Sequence, residues 1–192
     1  MPRPLTIRRI VLTGFMGAGK STIGALLAQS LGWEFIDSDA AIESSAGRSI
    51  AQIFAEHGET AFRAMEADAI RNHAAGEHLV LALGGGAIEN AVTRNMLGGL
   101  NETMVVFLDA PLEVMVARCL AQPGAAERPV LADRERLLQR FSARLPHYRR
   151  AHLTIATADL APSTVVERIL SALSEAKTSA AARPEERGIP IR

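Results

Sequence analysis

The sequence predicts an α/β fold built on a parallel sheet, and three observations carry that reading. Short apolar runs with β-branched residues alternate along the chain with stretches of helical period. A glycine-rich loop separates the first apolar run from the first helical stretch. The chain has 192 residues, 48% of them hydrophobic, enough for one domain to bury a core without disulfides or a structural metal. Cys119 is the only cysteine, which excludes an intramolecular disulfide.

Taken in order, strands are expected at residues 10–13, 33–37, 79–83, 104–109 and 153–157. The first helix is expected over 20–31 and stops at Gly32, whose tolerance of positive φ suits a helix C-terminus. Asp39 can cap a short helix over 40–45. Ser49 can cap another through about His57, and 59–75 reads as a further helix ending at Gly76. Helices also fit 87–97, 111–121, 133–150 and 162–176. Two segments stand apart. QPGAAERPVLA, residues 122–132, has two prolines, a glycine and little periodicity, and reads as a mobile loop. Residues 177–192 are rich in Ala, Pro and charge without an apolar face, so a poorly ordered tail is expected after one domain spanning 1–176.

The charge balance narrows the function. Twenty-one basic side chains face 21 acidic ones, so the formal net charge is zero and the broad basic surface required for nucleic-acid or acidic-membrane binding is missing. No uncharged apolar run approaches the roughly 18 residues of a membrane span, and the first apolar segment is broken by Gly14, Gly17, Gly19 and Lys20 rather than resembling a secretory signal. A soluble cytoplasmic protein is the economical expectation. With no sustained unexplained apolar stripe, a monomer is the default. Among so many arginines the lysines are only Lys20 and Lys177.

Lys20 lies in GFMGAGKST, residues 14–22, which matches G-x-x-x-x-G-K-[ST] between a predicted strand and a predicted helix. Glycines let the backbone curl so that successive N–H groups and the positive end of the helix dipole face a polyphosphate. Lys20 would reach the β- and γ-phosphates of a nucleotide as a compact point charge, and the Ser21 hydroxyl would ligate Mg²⁺. VVFLD, ending at Asp109, imitates a Walker B motif, but an N-cap two residues before Pro111 explains Asp109 better.

An acceptor site should lie nearby. EFIDSD places Asp37 and Asp39 at the carboxyl edge of the sheet, where doubly wound folds bind ligands, and alternation in an extended segment would point both carboxylates to one side. In ETAFRAMEADAI, Glu59, Arg63 and Glu66 fall at helical spacings; a solvated ion-pair face is the usual meaning. LALGGGAIE puts three consecutive glycines after the third strand, which points to a close backbone approach rather than a plain turn. The five histidines show no metal-ligand spacing, and Cys119 reads as a small buried hydrophobe on a helix.

These stretches together resemble the shikimate kinases: GFMGAGKST at 14–22, DSD at 37–39, FR with Glu66 at 62–66, GGG at 84–86, ERP at 127–129 and RLPHYR at 144–149, in order over about 10–170. The resemblance implies a three-layer P-loop fold like that of nucleoside monophosphate kinases. Its five-stranded parallel sheet has order 2-3-1-4-5, with helices on both faces and a lid at about 122–132. It implies ATP binding by Gly17, Ala18, Gly19, Lys20, Ser21 and Thr22, with Arg118 and Pro162 on either face of the adenine and Arg128 swinging onto the phosphates. Mg²⁺ would be held by Ser21 and, through water, by Asp37. Asp39 would contact the reacting 3-hydroxyl of shikimate. Arg63 and Arg144 would grip its carboxylate, Gly84, Gly85 and Gly86 would close on its ring, and Phe54 and Phe62 would wall the site. Lys20, Asp39 and Arg128 would be the catalytic set. The alternatives are a kinase for a sugar acid such as gluconate, or a noncatalytic sensor of ATP or shikimate.

Overall fold

The computed structural model describes residues 7–121 and 133–181. Five strands, β1 (Arg9–Thr13), β2 (Glu34–Asp37), β3 (Leu79–Ala82), β4 (Thr103–Asp109) and β5 (Leu153–Ala156), form one parallel sheet in the order β2-β3-β1-β4-β5. All four pairings are parallel, with Val11 opposite Leu81 on one side and Val105 on the other. Buried on both faces, β3 and β4 read as continuous apolar runs rather than alternating ones. Helices cover both faces, and Ile10, Leu12, Leu81, Val106 and Leu108 form the centre of the core.

The helices are α1 (Lys20–Leu31), α2 (Ser38–Ala46), α3 (Ile50–Ala74), α4 (Ala91–Gly99), α5 (Leu112–Leu120), α6 (Arg134–Tyr148) and α7 (Pro162–Ala181). α1 ends at Gly32 with φ 65°, as its sequence requires. Ser49 caps α3 in a reciprocal capping box with Gln52. Within α3 the backbone leaves helical geometry at Gly58, φ 77° and ψ 174°, dividing it where the sequence separates two helices. A second, smaller apolar cluster of Ile42, Ile53 and Phe62 joins α2 to α3, with Phe54 packed against it.

The structure corrects four local expectations. The short helix after β2 is capped by Asp37, which accepts from the N–H groups of Asp39 and Ala40; Asp39 is therefore in the first helical turn, not at the cap and not in an extended segment. The helix expected over 87–97 is broken into a 3₁₀ turn, Ala87–Glu89, and α4, because the Asn90 side chain accepts from Val92 N–H and starts a new helix. Asp109 belongs to β4, and the N-cap position of α5 falls on Pro111 without a side-chain cap. α7 runs to Ala181, five residues beyond the expected end, since Thr178, Ser179 and the alanines contain no helix breaker. The predicted lid at 122–132 and residues 182–192 of the predicted tail of 177–192 lie outside the described residues.

Candidate active site

The carboxyl ends of β1, β2 and β3 converge on one cleft of about 530 Å³, lined by Gly17, Ala18, Gly19, Lys20, Ser21, Thr22, Asp37, Asp39, Gly85, Arg118 and Pro162 among others. The loop from β1 into α1 forms its floor. Gly17 (φ 74°) and Gly19 (φ 96°) occupy backbone conformations that favour glycine, and the first turn of α1 carries no acid, leaving the positive end of its dipole uncompensated. Lys20 Nζ donates to the carbonyls of Gly14 (2.9 Å) and Phe15 (3.0 Å), which fixes the ammonium over the loop. Burial lowers the Lys20 pKa, while Asp39 and Asp37 oppose that shift.

Asp37 joins two elements. Its Oδ1 caps α2, and its Oδ2 accepts from Ser21 Oγ at 2.6 Å. These oxygens could serve Mg²⁺, Ser21 directly and Asp37 through water, since that ion takes one or two protein groups and fills its remaining positions with water and phosphate oxygens. Next in the chain, Ser38 is fully buried and its Oγ accepts from Gly84 N–H at 2.8 Å, tying α2 to the triple glycine. Burial, followed by the Asp37 charge, raises the Asp39 carboxyl above its usual range, with Lys20 and Arg63 pulling the other way.

Gly84 and Gly86 are crowded by side chains rather than set by their own φ, whereas at Gly85 an added Cβ would meet only ordinary contacts of 3.6 Å and beyond. A Cβ on Gly84 would collide with the Asp39 and Glu66 carboxylates, and one on Gly86 would lie 2.6 and 2.7 Å from the Arg63 guanidinium nitrogens. Arg63 donates from Nη1 to Glu66 (2.8 Å) and from Nη2 to Glu59 (3.2 Å). Glu66 is 1% exposed, so the expectation of a solvated ion-pair face is corrected: the fixed half of this array is buried, and burial raises the Glu66 pKa against the pull of Arg63. Arg144, from α6, is also buried; it lies over the Phe15 ring at 5.6 Å and pairs with Glu89 at 2.8 Å.

The aromatic pair has a supporting place. Phe54 and Phe62 pack ring to ring at 4.6 Å, with the Arg63 guanidinium 5.3 Å from the Phe62 centroid. Arg118 is held by Thr157 and Ala158 carbonyls at 2.6 and 3.2 Å, close to Pro162 at the start of α7. Arg128 lies outside the described residues. Sequence reasoning left three neighbours unassigned: Ser38, Tyr148 and Glu89. Ser38 and Tyr148 stand inside the quoted DSD and RLPHYR stretches, and Glu89 ends LALGGGAIE, but their partners are remote in sequence and spacing does not reveal them.

A parallel sheet in this order, with a glycine-rich loop leading from its central strand into the lysine that opens α1, defines a P-loop kinase. The shikimate kinase family model matches residues 16–174. A shikimate kinase of Thermus thermophilus is 42% identical over 176 residues, covering 90% of this chain and 92% of its own. Among solved structures, the shikimate kinase from Acinetobacter baumannii in complex with shikimate is 37% identical with a TM-score of 0.80, over 89% of this chain and 95% of that one. The one from Aquifex aeolicus is 35% identical with a TM-score of 0.76, over 86% and 96%. The chain belongs to the shikimate kinase family. Among the described residues no helix is long and apolar enough to cross a membrane.

Proposed function

We propose that the protein transfers the γ-phosphoryl group of Mg-ATP to the 3-hydroxyl of shikimate, giving shikimate 3-phosphate and ADP, as a cytoplasmic monomer. The observation that carries the reading is the position of Asp39, which lines the cleft with Lys20 and Ser21 on the phosphate side and sets its carboxylate against Gly84 beside Glu66, the partner of Arg63, on the other. Such a group can accept the hydrogen bond of an acceptor hydroxyl and aim its oxygen at the γ-phosphorus, where the new P–O bond forms as the bond to the β-phosphate breaks.

The remaining roles follow from charge. N–H groups of Gly17, Ala18, Gly19, Ser21 and Thr22 cradle the phosphates, and Lys20 neutralises them. Ser21 and, through water, Asp37 would hold Mg²⁺, which when bound offsets charge on the phosphate oxygens. Arg63 and Arg144 grip the carboxylate of shikimate, for which forked guanidinium donors are suited, and Gly84–86 leave room for the ring. Arg118 and Pro162 border the adenine, and Arg128, by family resemblance, closes on the phosphates. An ADP-release assay with Mg²⁺ over shikimate, quinate, gluconate and nucleoside monophosphates tests the reading. Turnover with shikimate is expected; turnover of gluconate alone would replace the assignment, and ligand binding without turnover of any acceptor would favour a sensor.

A further inference from the structure

Glu89 connects the two arginines of the acceptor side. Its Oε2 lies 2.8 Å from Arg144 Nη2 and 3.9 Å from Arg63 Nη2. Three acids surround Arg63, and they differ in kind: Glu66 is buried, Glu59 reaches Arg63 alone from the rim, and Glu89 spans both guanidinium groups. Arg144 has capacity to spare. It is 7% exposed, and its buried Nε has no hydrogen-bond partner among the described residues, a donor left for a further acceptor.

The Glu89 backbone is fixed, and its side chain, although paired with the arginines, borders solvent. Its N–H donates to Gly86 O at 2.9 Å, and Arg94 Nη1 donates to the carbonyls of Ile88 (2.8 Å) and Glu89 (2.6 Å). The Glu89 side chain is 38% exposed. Rotation about its own bonds therefore takes the carboxylate from the arginines into solvent with no change in the chain path. A second carboxylate arriving at these guanidinium groups beside Glu66 and Glu89 would meet two like charges, and Glu89 is the one placed to leave.

We propose that Glu89 is an internal counter-ion of the Arg63–Arg144 pair, exchanged for the carboxylate of the incoming acceptor. This rests on the reading of that pair as the shikimate carboxylate site. Glu89 keeps two partly desolvated cations paired before binding, and it sets acceptor affinity, since only the displaced fraction of molecules is competent. It also discriminates, because an acceptor without a negative charge has nothing to exchange for the ion pair it must break.

The test compares the full-length wild type with Glu89→Gln. If Glu89 occupies the arginines about nine-tenths of the time, its removal lowers the KM for shikimate by up to about tenfold, with the KM for ATP unchanged. Thermal shift reads the same exchange without turnover: shikimate should raise the Tm of the variant more than that of the wild type at equal concentration. The neutral carboxamide analogue of shikimate should gain much less from the substitution. An unchanged or raised KM for shikimate, or an equal gain for the carboxamide, in a variant that unfolds cooperatively would overturn the exchange while leaving the kinase reading intact. A wild type that turns over no shikimate would overturn both.

Discussion

The Tyr148 hydroxyl donates to the carbonyl of Gly85 at 2.5 Å, joining the last turn of α6 to the middle of the triple glycine. Tyr148 is buried and stacked on Phe107 at 5.2 Å, and it lies one turn beyond Arg144, so one helix face carries both the arginine and the prop beneath the glycine loop. Burial pushes its phenol far above the usual range, which keeps it a donor at any working pH. Tyr148→Phe should keep the ring packing and lose about 1 kcal/mol of stability by urea unfolding. It should raise the KM for shikimate and spare that for ATP; an unchanged KM for shikimate would confine Tyr148 to the core.

Gly86→Ala separates binding from folding. Gly86 has φ −95° and ψ −12°, a conformation any residue adopts, so an added methyl meets no backbone penalty. What it meets is the guanidinium end of Arg63, which can shift aside. Stability should change by less than about 1 kcal/mol, whereas displacement of one charge-assisted contact, about 1.5–3 kcal/mol, should weaken shikimate about 10- to 100-fold by titration calorimetry. Weakening of ATP to the same degree would contradict the placement of Arg63 on the acceptor side.

Arg118 tests the nucleotide side. Its two Nη atoms hold the Thr157 hydroxyl, the Thr157 carbonyl and the Ala158 carbonyl, fixing the end of α5 to the segment after β5. A lysine has no fork to hold all three. Arg118→Lys should raise the KM for ATP about three- to tenfold, roughly 0.7–1.4 kcal/mol, with little effect on shikimate. Steady-state kinetics with each substrate varied in turn decides it, and a change in the shikimate KM alone would count against the assignment.

The extent to which the site is legible in the sequence follows the range of its interactions. The loop of residues 14–22 and the end of α1 at Gly32 are written locally, in glycine spacing and caps, and the structure has both. All five strands fall within one residue of their expected ends because buried parallel strands are unbroken apolar runs. The exchange of roles between Asp37 and Asp39 is a closer matter: either can cap a helix by type, and Asp37 takes the position because it also receives Ser21 from α1. Glu89 and Tyr148 are illegible for the opposite reason, since their partners lie 55 residues on and 63 residues back. The triple glycine signals a close approach, but which side chains fill the space, Asp39, Glu66 and Arg63, is settled only when α2 and α3 dock beside it.

Asp39→Asn should separate activity from stability. The amide keeps the shape of the side chain but is a poor acceptor for a hydroxyl that must lose its proton, so turnover should fall by at least about 100-fold while ATP still binds. The wild-type carboxyl has a folded pKa above its ordinary value of 3.8, with burial the first cause and Asp37 the second. A raised acid favours folding while it is protonated, and that contribution is lost as pH rises through the folded pKa. At neutral pH the wild type therefore carries a buried charge that asparagine lacks. Asp39→Asn should have the higher Tm at pH 7, and the gap should close as the buffer is taken down toward pH 3.8. The same titration predicts that wild-type kcat/KM declines on acidification at a pH above the ordinary aspartate value. Near-normal turnover in the variant would remove Asp39 from the transfer step, and a lower Tm at pH 7 would show that its ion pairing with Lys20 and Arg63 outweighs the burial penalty.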